Sequence, residues 1–273
     1  MAVDKDLQEE LRRQRDEIAR QKKEIIYSFE YASLIQSALL PPENLINRLL
    51  PDNFILYLPK DIISGDFYWA YRMGANILIA AADCTGHGVP GALMSILGIS
   101  FLNEIMTEKC QLKANRILNQ LREKIMKALH QTGEGSESKD GMDIALCIFN
   151  PQTLELQYSG ANNPLYLIRN NLLEEIKPDK MPIGISGVME QSFTNHNMQL
   201  EPGDMIYAFS DGFADQFGGP LGKKFKYKPF KQLLLDIHKK LLQDQKTHLV
   251  STFQNWKGKL DQVDDILILG VKI

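Results

Sequence analysis

Apolar positions keep a helical rhythm from about residue 4 to residue 40. Leu11, Ile18, Ile25, Ala32 and Leu39 recur every seven residues, which places them on one stripe of a single long helix. The companion positions Gln14, Gln21 and Ser28 are polar and only Ile35 is apolar. Two readings follow: a solvated helix with one apolar edge packed on its own domain, or a coiled coil whose polar seam keeps pairing weak and switchable. Fifteen of the first thirty residues are charged and no Gly or Pro precedes Pro41, so nothing breaks the helix before Pro41-Pro42 ends it. The chain divides there into a helical extension, residues 1–40, and a domain, residues 41–273.

From Asn53 onward the rhythm changes to short β-rich runs: 54–58, 67–71, 77–82, 144–149, 154–158, 165–169, 192–198, 205–209 and 266–271. Met73-Gly74-Ala75-Asn76, Asn150-Pro151-Gln152 and Asn170-Asn171 are turns too short for a crossover helix, so the strands they join are antiparallel. Helical patterns cover 89–107, 114–130, 230–242 and about 247–260. Two helices in the middle and two near the end, among antiparallel strands, predict an α+β fold: a layered α-β-β-α sandwich with an N-terminal helical extension. Residues 131–141, rich in Gly, Ser and charge, read as a loop.

Composition narrows the function classes. With 31 Lys plus Arg against 34 Asp plus Glu the net charge is −3, which removes the general attraction to nucleic-acid backbones. The longest uncharged stretch, 84–103, is interrupted by Thr85, His87, Pro90 and glycines, so no membrane span is expected. The charged N-terminus does not read as a signal peptide, and Cys84, Cys110 and Cys147 lie far apart, which points to a reducing, cytoplasmic compartment.

Three patterns compete for the chemistry. Gly86-His87-Gly88-Val89-Pro90-Gly91 has the glycine spacing of a dinucleotide-binding turn, but hairpins follow it and an Asp stands at the strand end, where pyrophosphate would be repelled. Cys110 and Arg116 have the spacing of a cysteine-phosphatase loop, without the glycines that wrap a phosphate. The third pattern is aspartates at the ends of apolar strands: Asp66, Asp83, Asp211 and the doublet Asp264-Asp265, with Gly65, Gly86 and Gly212 beside three of the four sites. Carboxylates there need donors or a cation. Four such sites, without clustered His or Cys, favour a hard cation such as Mg²⁺ or Mn²⁺.

Ser64-Gly65-Asp66-Phe67-Tyr68, Ala82-Asp83-Cys84-Thr85-Gly86-His87-Gly88, Phe209-Ser210-Asp211-Gly212 and Val263-Asp264-Asp265-Ile266 resemble, in order and spacing, the metal-dependent serine/threonine phosphatases of type 2C, above all their bacterial SpoIIE-type branch. The likeness runs from about Pro59 to Ile273 and includes Tyr158–Pro164 and Met181–Ile185. It implies a β-sandwich flanked by helix pairs, with two Mn²⁺ or Mg²⁺ ions at one edge. By that resemblance Asp83 bridges both metals, the Cys84 carbonyl and Asp66 serve one, and Asp211 with Asp264 holds the other. Asp265 is the alternative to Asp264, or a capping carboxylate.

The chain also departs from the eukaryotic members. Gly65 stands where they have Glu, which implies weaker metal binding. Their phosphate-binding Arg has no match, and Lys60 is the candidate substitute. Their catalytic His falls at Thr85, which leaves His87 either a general acid, since imidazole titrates near neutrality, or a structural turn residue. Asp140 and Asp143 are candidates for a third metal or simple loop charges. The implied substrate is a phosphorylated protein, a small regulator of the anti-anti-sigma type, and weak homodimerisation through residues 7–39 is the expected route of control. Two alternatives are a catalytically weak signalling module, which the four acidic sites oppose, and a nucleotide-dependent oxidoreductase.

Overall fold

The computed structural model describes residues 2–108, 112–132, 139–185 and 191–273. In chain order the elements are α1 (Ala2–Leu39), α2 (Glu43–Leu49), β1 (Asn53–Leu58), β2 (Phe67–Met73), β3 (Asn76–Cys84), α3 (Gly88–Thr107), α4 (Ala114–Ala128), β4 (Met142–Asn150), β5 (Glu155–Ala161), β6 (Leu165–Arg169), β7 (Leu172–Ile176), β8 (His196–Gln199), β9 (Met205–Phe209), α5 (Gly212–Asp215), β10 (Phe217–Gly218), β11 (Lys223–Lys224), α6 (Tyr227–Ile237), α7 (Leu242–Lys257) and β12 (Ile266–Lys272).

Two five-stranded antiparallel sheets carry the fold, ordered β1-β12-β9-β6-β7 and β2-β3-β4-β5-β8. Alternation along the strands sorts side chains into three cores. In β3, Leu78, Ala80 and Ala82 pack outward on Ile99 and Leu102 of α3 and Ile117 and Leu121 of α4. Its other face, Ile77, Ile79 and Ala81, meets Leu167, Ile206, Leu267 and Leu269 of the facing sheet. Phe54, Tyr207, Phe209 and Ile268 leave that sheet on its far side and pack on Phe230 and Leu234 of α6 and Leu249 and Phe253 of α7. The α-β-β-α order expected from the sequence is the observed one.

The three short turns close hairpins as expected, pairing Met73 with Asn76, Asn150 with Glu155, and Arg169 with Leu172. Asn170 and Asn171 take the positive φ values, 51° and 62°, that such a two-residue turn requires. Helix α3 is long and apolar enough to cross a membrane by composition, but half of its apolar window is buried inside the fold.

Four local expectations are corrected. Helix α6 starts at Tyr227, not Phe230, and ends at Ile237, not Leu242; α7 then runs from Leu242 to Lys257 instead of about 247–260. The apolar rhythm runs through this break unmarked by Gly or Pro. Buried Gln245 stabilises it by donating to the carbonyls of His238 and Lys240, the orphan acceptors of a helix end. The run expected at 192–198 is a strand only over β8, because side chains take over its backbone: Asn119 accepts from the Phe193 N–H and Asp179 from the Thr194 N–H. Helix α4 stops at Ala128, short of His130, whose φ is 53°. Helix α2 and strand β7 add elements the sequence pattern did not separate. Cys110 lies outside the described residues, as do residues 133–138 of the expected loop.

Candidate active site

The ends of β3, β9 and β12 and the loop before β2 meet at one edge of the sandwich, and each brings an aspartate. Asp66 is buried at the start of β2. The Ser210 hydroxyl donates to its carboxylate at 2.5 Å, while that hydroxyl accepts the Leu267 N–H at 2.9 Å. Ser210 therefore ties β12 to the Asp66 carboxylate, a role its place before Asp211 gave no sign of. Asp83, one residue from the end of β3, is partly exposed and sits opposite Asp143 of β4 in the strand register. Asp211 precedes α5 and is close enough to Asp83 for a carboxyl–carboxylate hydrogen bond.

The doublet divides its work. Asp265 is buried, and its two oxygens accept the backbone N–H groups of Lys60 and Gly65, each at 2.7 Å. Asp264 is only partly buried, and one of its oxygens accepts the Asp265 N–H at 2.9 Å. Among the two, Asp264 shares the field of Asp83 and Asp211, whereas Asp265 clamps the 60–65 loop.

Electrostatics follow from this crowding. Burial pushes the Asp66 carboxyl well above its usual range, with Asp265, Asp264 and Asp211 adding repulsion against the opposing Ser210 hydrogen bond. Burial likewise raises Asp83, helped by Asp66, Asp211, Asp264 and Asp143. Asp211 is pushed up to about 6 by burial, then by Asp215 and Asp264. Asp264 is raised by burial too, although Lys60 and His87 nearby favour its charged form. Among the described residues no three acidic, His or Cys side chains close around a single point. They form an open acidic bowl of hard oxygen donors with too little positive charge, and a divalent cation fits that donor set.

Glycines shape the floor. A Cβ on Gly65 would sit 2.5 Å from the Gly86 carbonyl and 3.3 Å from the Cys84 carbonyl, and one on Gly91 would strike the Gly86 carbonyl and Gly65 Cα. Gly86 and Gly88 hold φ values of 81° and 64°. The glycine spacing that looked like a dinucleotide turn is thus the close approach of three backbone segments beneath the Cys84 carbonyl. A Cβ on Gly212 would collide with the Asp265 carbonyl.

The remaining sequence candidates fall as follows. His87, at the N-terminus of α3, pairs through Nδ1 with Asp61 Oδ2 at 2.7 Å, both side chains about half exposed. Lys60 lies on the rim near Asp264. The Thr85 hydroxyl is engaged with both the N–H and the C=O of Gly141, so it pins the start of β4. Asp143 is a half-buried strand residue, not loop charge; Asn162 donates to it at 2.8 Å, and burial raises it. Asn162 holds a φ of 54°, and Tyr158 donates to the Asn163 carbonyl at 2.6 Å, which accounts for the Tyr158–Pro164 motif as the turn that delivers this contact. Met181–Ile185 runs beside β4, where Ile183 and Met142 exchange backbone hydrogen bonds.

Gln36 was missed by sequence reasoning. Buried near the end of α1, it donates to the Ser64 carbonyl at 2.6 Å and to Ser95 Oγ of α3 at 2.8 Å, and accepts the Ser64 N–H at 3.1 Å. The N-terminal helix is therefore bonded to the residue two before Asp66.

The family model for stage II sporulation protein E, SpoIIE, matches residues 74–273. The chain belongs to the SpoIIE family. It is 27% identical over 197 residues to the phosphoserine phosphatase RsbU of Bacillus subtilis, a match that covers 71% of this chain and 55% of RsbU. It thus spans about half the length of that relative. The SiaA PP2C domain of Pseudomonas aeruginosa superposes with a TM-score of 0.83 at 31% identity, over 92% of this chain and 98% of that domain. RsbX, solved in complex with magnesium, shares the fold with a TM-score of 0.56 at 14% identity, over 81% of this chain and 94% of RsbX. This SpoIIE-family chain accordingly has the PP2C-type serine/threonine phosphatase fold.

Proposed function

We propose that the protein is a metal-dependent phosphoserine/phosphothreonine phosphatase, whose substrate is a small phosphorylated regulator of the anti-anti-sigma type. The observation that carries the reading is the bowl of Asp66, Asp83, Asp211 and Asp264, mutually repelling carboxylates with Lys60 and His87 near Asp264. Two Mn²⁺ or Mg²⁺ ions bound there would supply an activated water and neutralise the phosphoryl oxygens. Asp83, which feels the charges of Asp66, Asp211 and Asp264, would be the ligand shared between the ions, with Asp66 and the Cys84 carbonyl the candidate ligands of one and Asp211 and Asp264 of the other. The two backbone bonds already accepted by Asp265 favour Asp264 over its neighbour as a ligand.

The protein residues divide the remaining work. Ser210 orients Asp66, Asp265 fixes the loop that carries Gly65, and Lys60 on the rim is the candidate phosphate contact. His87, paired with Asp61, is read either as a general acid for the leaving alkoxide or as a structural turn residue. The cytoplasmic assignment rests on the buried free thiols Cys84 and Cys147. Residues 1–40 are read as a regulatory extension to the catalytic domain at 41–273. Leu11, Ile18 and Ile25, exposed along one stripe, support weak homodimerisation through residues 7–39.

Hydrolysis of p-nitrophenyl phosphate tests the chemistry. Activity should require added Mn²⁺ or Mg²⁺ and disappear with EDTA; full turnover by a preparation verified as metal-free would sink the reading.

A further inference from the structure

Beside the acidic bowl lies a groove of about 410 Å³ of opposite character. Tyr166, Tyr227, Lys177, Lys180, Lys231 and one carboxylate, Glu175, line it. Asn162, also in its wall, donates to Asp143, the strand partner of Asp83, so one wall of the groove is a single hydrogen bond from the residue opposite the bowl's Asp83. Tyr227 marks the same seam: burial and then the charges of Asp211, Asp215, Asp83 and Asp143 raise its phenol.

The lysines are not all neutralised. Lys231 pairs with Glu175 at 2.7 Å and lies 5.2 Å over the Tyr166 ring. Lys177 and Lys180 are exposed and make no ion pair among the described residues, and Asp179 between them is turned to the Thr194 N–H and hydroxyl. Nearby in the chain, residues 223–231 carry five lysines and no carboxylate, although Lys224 pairs with Asp215 at 2.6 Å, in a chain whose net charge is −3. One exposed lysine contributes little to binding. Several of one sign, lining a concave surface with aromatic walls, raise the local concentration of an opposite charge and fix its register.

We infer that this groove docks an acidic segment of the phosphoprotein substrate, adjacent to the residue whose phosphate enters the bowl. The inference rests on the phosphatase reading and adds to it a substrate preference: carboxylates flanking the phosphoresidue. Such a segment meets lysines in the groove, whereas a basic segment would not be held there. The aromatic walls add apolar contact that a diffuse counterion cloud does not need.

Two synthetic phosphoserine peptides test this, identical except that one carries Asp and Glu next to the phosphoserine and the other Ser and Asn. Wild type is compared with Lys177→Glu/Lys180→Glu and with the milder Lys177→Gln/Lys180→Gln. Peptide binding is read by fluorescence anisotropy without added metal, and turnover with Mn²⁺. The expected result is that wild type prefers the acidic peptide, and that this preference weakens with salt. The Glu pair should raise KM for the acidic peptide by about tenfold, with the Gln pair intermediate and the p-nitrophenyl phosphate rate unchanged. Equal binding of both peptides by wild type, or a preference that survives in the Glu pair, overturns the inference. So does lysine-dependent capture on phosphatidylglycerol vesicles without a peptide preference, which would assign the patch to a membrane surface. Absence of p-nitrophenyl phosphate turnover by wild type would refute the phosphatase reading alone, because anisotropy still decides the groove.

Discussion

Asp264 and Asp265 show what single residues disclose and conceal. Spacing marked both as one acidic site, yet their roles depend on which backbone N–H groups lie within reach. Those of Lys60 and Gly65 come from about two hundred residues away, and no local pattern reports them. The aspartates of the bowl were legible because a carboxylate ending an apolar strand conflicts with burial. Ser210 was not, since a hydroxyl in that position reads equally well as a turn residue. Crowding among the carboxylates has a consequence for the metal-free protein. The folded pKa of Asp211, about 6, lies above the ordinary value of 3.8, so between those pH values the native state binds more protons than the unfolded state. Its contribution therefore lowers stability as pH rises through that window, and is absent below it. In EDTA, Asp211→Asn should melt higher than wild type above pH 6, and the gap should close towards pH 4. A gap independent of pH, read by thermal melts across the range, would show that Asp211 carries no such repulsion.

At the scale of elements, the heptad stripe of α1 was legible, and so were its end at Pro41 and the helix pairs. The joint between α1 and the 60–65 loop was not. A glutamine in a charged helix reads as a solvent-facing residue, but Gln36 is buried and satisfies both backbone groups of Ser64. Removing it leaves a buried N–H and C=O without partners, a cost of about 1–3 kcal/mol. Gln36→Leu should lower Tm by several degrees and should also raise the Mn²⁺ concentration needed for half-maximal activity, because Ser64 leads directly into Gly65 and Asp66. A lower Tm with an unchanged Mn²⁺ requirement would reduce Gln36 to packing. The break between α6 and α7 escaped for a similar reason: its signal is the buried amide of Gln245, seven residues beyond the carbonyl of His238.

For the whole molecule, alternation and hairpin turns were enough to predict layers, and the three cores follow from them. Sheet order was beyond reach, because β1 pairs with β12 across the length of the domain, Asn53 opposite Val271, and only the assembled sandwich selects that partner. The extension adds an assembly question. If residues 7–39 pair weakly and transmit rotation to Ser64, leucine-zipper fusions ahead of Leu7, lengthened one residue at a time, should give phosphatase rates that vary with a period of about 3.5 residues. Flat rates across dimeric fusions would make α1 a passive appendage. The account as a whole depends on the acidic bowl as the seat of catalysis. Its most direct test is phosphate release from a phosphoserine peptide by wild type and Asp83→Asn at saturating Mn²⁺. The account predicts loss of turnover in a variant that still folds, with a metal-free Tm at or above that of wild type. An Asp83→Asn protein that keeps more than about a tenth of the wild-type rate, equivalent to only ~1.4 kcal/mol of barrier, would contradict it.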